Sequence, residues 1–198
     1  GYATDILNAG DIIILNNVID VTGGLSSAVI KYDGGDKIAS TEAIAVTRTA
    51  WPSGAGTLHG GSVEMLDTSV WGQEYHVPVD DTVPPTTPYY DFQYTGLTVM
   101  ASQNDTSIYR NSTLVTTINE GQSYLFTDGN VAMGDVITAD KPVQANLLVG
   151  DIGSSYASSW YTLYPFERLS SSYYAPVSSN RRPDTTLINT AVVVHNPN

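Results

Sequence analysis

The chain has 198 residues, no cysteine, and 20 acidic against 8 basic side chains, a net charge near −12 at pH 7. That charge repels phosphate backbones and argues against nucleic acid as a partner, while 41% hydrophobic residues argue against an intrinsically disordered chain. No apolar run approaches the roughly 20 residues that span a bilayer, and no charged-then-apolar signal segment opens the sequence, so a mature, soluble form is expected and not a membrane-spanning one.

Taken in chain order, short runs rich in β-branched and aromatic residues predict strands at residues 12–15, 43–47, 97–101, 114–118, 123–126, 143–149 and 160–164. Gly34-Gly35, Gly60-Gly61, Asn119-Glu120-Gly121 and Asp128-Gly129 separate them, at positions that suit a positive φ. No stretch keeps apolar residues at helical spacing for three turns, so almost no helix is expected. Residues 80–88, "DDTVPPTTP", hold three prolines and two acids among nine residues and resist regular structure.

Across that proline-rich stretch the chain repeats itself in order. "LNAGDIIIL" (7–15) aligns with "INEGQSYLF" (118–126), and "GGDKIASTEAIAV" (34–46) with "MGDVITADKPVQA" (133–145). "YHVPV" (75–79) aligns with "YYAPV" (173–177), and "TVMASQND" (98–105) with "AVVVHNPN" (191–198). Four matches in one order predict a duplicated unit of roughly a hundred residues. The expected fold is all-β: two tandem antiparallel modules, sandwich-like, with propeller-like blades as the alternative. Residues 1–79 form the first module, 80–91 a linker, 92–185 the second module, and 186–198 a terminal strand.

On this alignment the first module lacks its opening strand, and the chain's last residues are a spare copy of it. Either the tail closes its own fold, or it inserts into the vacant edge of the next molecule, or the ends are arbitrary cuts in a longer array. Strand addition makes Thr190, Ala191, Val192, Val193 and Val194 the donor, and Ile12, Ile13 and Ile14 part of the acceptor.

The segments "GLTVMASQNDTSIY", "INEGQSYLF", "GDVITADKPVQANLLVGD" and "YYAPV" resemble the IgGFc-binding protein N-terminal domain family of large bacterial and archaeal surface proteins. The "ITADKPVQA" segment carries most of the likeness. The resemblance implies an extracellular, non-catalytic, repeat-built β-domain used in adhesion or surface assembly. Immunoglobulin binding, a property of a few animal mucosal members, is not part of what it implies here.

The residues themselves point the same way. Only 14% of them are charged, and Thr, Ser, Tyr, Asn and Gly are abundant, which suits a secreted or cell-surface β-protein. His59, His76 and His195 stand in no metal-ligand spacing, and no G-x-S-x-G, P-loop or dinucleotide fingerprint occurs, so no catalytic residue and no cofactor are expected. Asp33, Asp36, Asp80 and Asp81 could offer hard oxygen ligands to calcium, but they suit solvated turn positions better. Asp36 and Asp135 match across the repeat, which favours turn capping. Asn104-Asp105-Thr106 and Asn111-Ser112-Thr113 fit the N-glycosylation pattern. Tyr89, Tyr90, Tyr156, Trp160, Tyr161, Tyr164, Tyr173 and Tyr174 could stack on sugars, with Tyr156, Trp160 and Tyr161 the leading residues of a cluster around 156–164, or could pack in strands and interfaces. The leading expectation is therefore a structural subunit that polymerises head to tail with copies of itself; the alternative is an adhesin module that binds glycans or glycoproteins.

Overall fold

The computed structural model describes residues 8–12, 37–50, 61–80, 94–127, 129–150, 159–174 and 194–197. The chain divides into two units, Gly1–Tyr32 and Asp33–Asn198. The described part of the first is a tight turn. Asp11 N–H donates to the Asn8 carbonyl (3.0 Å), Asn8 N–H donates to Asp11 Oδ2 (2.9 Å), and Gly10 takes φ = 94°, which a side chain would oppose.

The second unit contains nine strands among its described residues. They are β1 (Thr47–Ala50), β2 (Gly61–Glu64), β3 (Gly72–His76), β4 (Tyr94–Ala101), β5 (Thr106–Arg110), β6 (Thr113–Ile118), β7 (Ser123–Phe126), β8 (Val136–Gly150) and β9 (Ser159–Thr162). Two single-turn 3-10 helices, Thr68–Val70 and Phe166–Arg168, are the only helical pieces described. The expectation of an all-β fold with almost no helix holds.

β8 is the spine. On one edge it pairs first with β5, from Ile137 to Ala139, and then with β4, from Val143 to Gly150. On the other edge it pairs with β3 through its first half and with β9 through its second. Two four-stranded halves, β6-β5-β8-β3 and β7-β4-β8-β9, therefore share one strand. Inward residues alternate along β4 (Leu97, Val99, Ala101) and along β8 (Ile137, Ala139, Val143, Ala145, Leu147, Val149). The cross-strand pairs Leu97 with Leu147, Val99 with Ala145 and Ile108 with Ala139 bring these residues face to face. One apolar cluster draws on both halves, so the sheet is curled on itself in the manner of a sandwich or half-barrel.

The ladder is irregular where β8 changes partners, in Ala139-Asp140-Lys141-Pro142, across which the register with β3 jumps from Thr138 to Val143. Pro142 has no N–H to give a ladder, and here none is required. The same residues hold the loop that joins β4 to β5 and the start of β5: Asp140 Oδ1 accepts from Ser107 N in β5 (2.8 Å), Lys141 Nζ donates to the carbonyls of Asn104 and Asp105 (2.5 and 2.8 Å), and Pro142 O accepts from Ser102 Oγ (2.9 Å). The segment that dominates the family likeness is thus a structural clasp.

β3 lies before the proline-rich stretch, yet it completes the sheet of strands that follow it. Its anchor is Tyr75, buried to 1% exposure, whose hydroxyl donates to the Val143 carbonyl (2.5 Å) and accepts from Gly72 N (3.0 Å). Burial pushes this phenol up to about 12; the Gly72 amide bond opposes the shift and the Glu167 charge adds to it. A phenol bound more tightly to its proton in the folded state contributes stability that is complete below its ordinary value near 10 and is lost as pH rises to about 12. Denaturation followed by fluorescence should show stability falling through that interval. Tyr75→Phe, which leaves the Val143 carbonyl and Gly72 amide unpaired, should cost about 1.5 kcal/mol at neutral pH and flatten the alkaline fall.

Candidate functional site

The segment from β9 through the second 3-10 turn carries the largest run of exposed aromatic residues among the described parts. Tyr161, Tyr164 and Phe166 are 44%, 57% and 37% exposed, and Leu169, Tyr173 and Tyr174 are exposed beyond them. Its backbone is held at several points. β9 pairs with β8 from Asn146 to Val149, and Leu163 N donates to the Ala145 carbonyl (3.0 Å). Pro165 is buried against Gly72, where an added Cβ would collide with it, and Arg168 donates to the Ser69 carbonyl (3.2 Å). Fixed backbone beneath exposed rings lowers the entropy cost of binding.

Trp160 behaves differently from its neighbours. The Arg48 guanidinium lies 4.3 Å from the centre of its ring, a cation–π contact that ties β9 to β1. Beside it, Thr162 Oγ1 lies 3.0 Å from the Glu64 carbonyl and 3.1 Å from Asn146 Oδ1, which also accepts from Gln144 Nε2 (3.2 Å). Trp160 therefore mortises the β1–β2 hairpin to the sheet, while Tyr161 is open to solvent. Tyr89, Tyr90 and Tyr156 lie outside the described residues.

The two sequons differ in their surroundings. Asn111 and Ser112 take φ of 48° and 66° in the two-residue turn between β5 and β6, a type I′ pattern that matches strand twist. The Asn111 side chain holds that turn: Nδ2 donates to Asp135 Oδ1 (2.7 Å) and Oδ1 accepts from Val136 N (2.9 Å). Asn104 is exposed, and its Oδ1 accepts from Glu120 N (3.2 Å), while its Nδ2 has no hydrogen-bond partner among the described residues.

Among the acidic candidates, Asp80 is buried and its Oδ2 accepts from Met133 N (2.8 Å); Asp33, Asp36 and Asp81 lie outside the described residues. Asp135 caps its turn by accepting from Ala132 N (2.7 Å), as its place in the repeat suggested. No group of three His, Cys, Asp or Glu that could hold a metal occurs among the described residues, and no described helix is long and apolar enough to cross a membrane.

His76 Nε2 sits 2.8 Å from Glu74 Oε1, with the Phe166 ring 5.0 Å away and the His195 ring 6.5 Å away. The tail thus touches β3 of its own molecule. Val194 and Ile12 are exposed and lie in no strand, and Thr190, Ala191, Val192, Val193, Ile13 and Ile14 lie outside the described residues. No observation among the described residues supports strand addition by the tail.

A family model described as IgGFc binding protein matches residues 4–196, nearly the whole chain. The chain belongs to the IgGFc binding protein family. No curated protein and no solved structure matches it. The family is described by what it binds, the Fc part of IgG, and not by a reaction. Membership therefore fits a surface or extracellular binding module, is consistent with a non-enzymatic role, and favours binding over polymerisation.

Sequence reasoning named Tyr161 and Tyr164 but not Phe166, which is exposed on the same segment. The signal was available: Pro165 breaks the strand pattern directly between two aromatic residues, which marks a surface turn.

Proposed function

We propose that this chain is a non-catalytic extracellular module that binds a glycoprotein through Tyr161, Tyr164 and Phe166. The observation that carries the reading is the exposure of these three rings on a segment whose backbone is fixed to β8 and β3. Tyrosine and phenylalanine bury large area with few rotatable bonds, which is why they recur at the centres of interfaces. Tyrosine also offers a hydroxyl to the polar edge of a sugar. The Fc part of immunoglobulin G is the first glycoprotein to test, because the family is named for it.

The test is binding of the purified chain to immobilised Fc and to a panel of mucosal and serum glycoproteins, intact and enzymatically deglycosylated. A variant carrying Tyr161→Ser and Tyr164→Ser should bind at least tenfold more weakly with a melting temperature close to the parent's, since exposed positions carry little of the fold; Phe166→Ser should weaken binding and also lower the melting temperature, because part of its ring packs on His76. Unchanged binding by the double variant would remove the segment from the interface. Loss on deglycosylation would assign the contact to glycan, and retention to protein.

A further inference from the structure

The two copies of the repeat share local structure as well as sequence. The turn at Asn8 has an exact counterpart at Asn119: Gln122 N donates to the Asn119 carbonyl (2.9 Å), Asn119 N donates to Gln122 Oε1 (2.8 Å), and Gly121 takes φ = 74°. Asn8, Gly10 and Asp11 are the residues that the alignment matches to Asn119, Gly121 and Gln122.

That correspondence gives meaning to the way the second copy is completed. The closing segment of the first copy, Tyr75-His76-Val77, lies along the Gly134–Ile137 stretch of the second. Tyr75 pairs with Ile137 and His76 with Val136; Val77 N donates to Asp135 O (3.0 Å) and Gly134 N donates to Val77 O (2.9 Å). Tyr75, Val77 and Ile137 are all fully buried there. The closing segment of one copy is therefore the missing edge strand of another.

The alignment carries this pairing to a second set of residues, where it is not made. Tyr173 and Tyr174 stand at the places of Tyr75 and His76, and Lys37 and Ile38 at those of Val136 and Ile137. Ile44 stands at the place of Val143. Ile137 and Val143 are inaccessible in the core, yet Ile38 is 50% exposed, Ile44 is exposed, and both lie in no strand; Tyr173 is 70% exposed and also lies in no strand. The Lys37 ammonium is 3.0 Å from Glu120 Oε1, which fastens this stretch to the turn of the second copy.

We propose that residues 37–46 are the acceptor, and Tyr173-Tyr174 the donor, of an interface between two copies of this chain. Tyr173 of one copy lies opposite Ile38 of the next, as Tyr75 lies opposite Ile137 within the molecule. The two halves are different surfaces, so the contact is heterologous and one association leaves a donor and an acceptor free for the next. Main-chain bonds supply attachment, and the apolar pair Tyr173 with Ile38 sets the register. This surface shares none of the three rings assigned above to glycoprotein binding.

Sedimentation velocity over a wide concentration range tests it, using the whole chain, Ile38→Asp, Tyr173→Asp, and an equimolar mixture of the two. The intact chain should form dimers and larger species as concentration rises. Each variant should associate at least tenfold more weakly, with an unchanged melting temperature. The mixture should recover a dimer and nothing larger, because it contains one intact donor and one intact acceptor. A chain that is monomeric throughout, variants that associate like the parent, or a mixture that recovers nothing would each overturn the interface. A monomeric chain that binds a synthetic peptide of residues 170–179 would assign the acceptor to another protein and overturn self-association. Should an aspartate variant unfold, Ile38→Ser and Tyr173→Ser give the same comparison.

Discussion

Asp135→Ala should lower the free energy of unfolding by about 3 kcal/mol, the cost expected when one partner of a mostly buried charge pair is removed. Asp135 accepts from Arg110 Nε, Asn111 Nδ2 and Ala132 N, each at 2.7 Å. The first two donors belong to the β5–β6 hairpin and the third to the turn before β8, so one carboxylate joins two elements. Its loss leaves the guanidinium, a third of it exposed, to water, and strips one of the bonds that hold Asn111 at a positive φ. Asp135→Asn keeps an acceptor oxygen and should lose about half as much. Urea denaturation of the two variants beside the parent checks the ranking; equal losses would mean that charge, and not the acceptor geometry, holds the turn.

Gly72→Ala should cost about 2 kcal/mol, in the range for overpacking a filled site, and should weaken glycoprotein binding as well. A Cβ at this position would overlap the Pro165 ring and the Glu167 carboxylate. The Glu167 side chain can swing away, but the proline ring is tied to the backbone that enters the Phe166–Arg168 turn. Relief therefore requires the turn to move, and Phe166 with it. Thermal unfolding and binding measured on one preparation check both halves. A destabilised variant with parental affinity would show that the turn does not position the binding residues.

Much of the fold was legible because its strands alternate or are continuously apolar. The run at 123–126 coincides with β7, and those at 97–101, 114–118 and 143–149 lie within β4, β6 and β8. The first half of β8 was hidden by Asp140, Lys141 and Pro142, which interrupt the apolar pattern where the strand changes partners. β3 was hidden for a different reason. Gly-Gln-Glu-Tyr-His carries one large buried side chain, and it becomes a strand because the edge of β8 supplies its hydrogen bonds. Residues 43–46 show the converse: β-branched and apolar, they were expected in a strand, yet the ladder begins at Thr47, and among them only the Val46 carbonyl accepts from across it, from Met65 N (2.9 Å). At the candidate site, aromatic content was visible but its partition was not. Trp160 is committed to packing by Arg48, a residue distant in sequence, and no local pattern announces that contact.

The most direct measurement of the central claim is hydrogen–deuterium exchange of the chain alone and with a saturating bound glycoprotein. Added protection is expected in peptides covering residues 159–168 and none in those covering the β5–β6 turn or residues 139–142. Protection confined to those other peptides, with residues 159–168 unchanged, would contradict the claim.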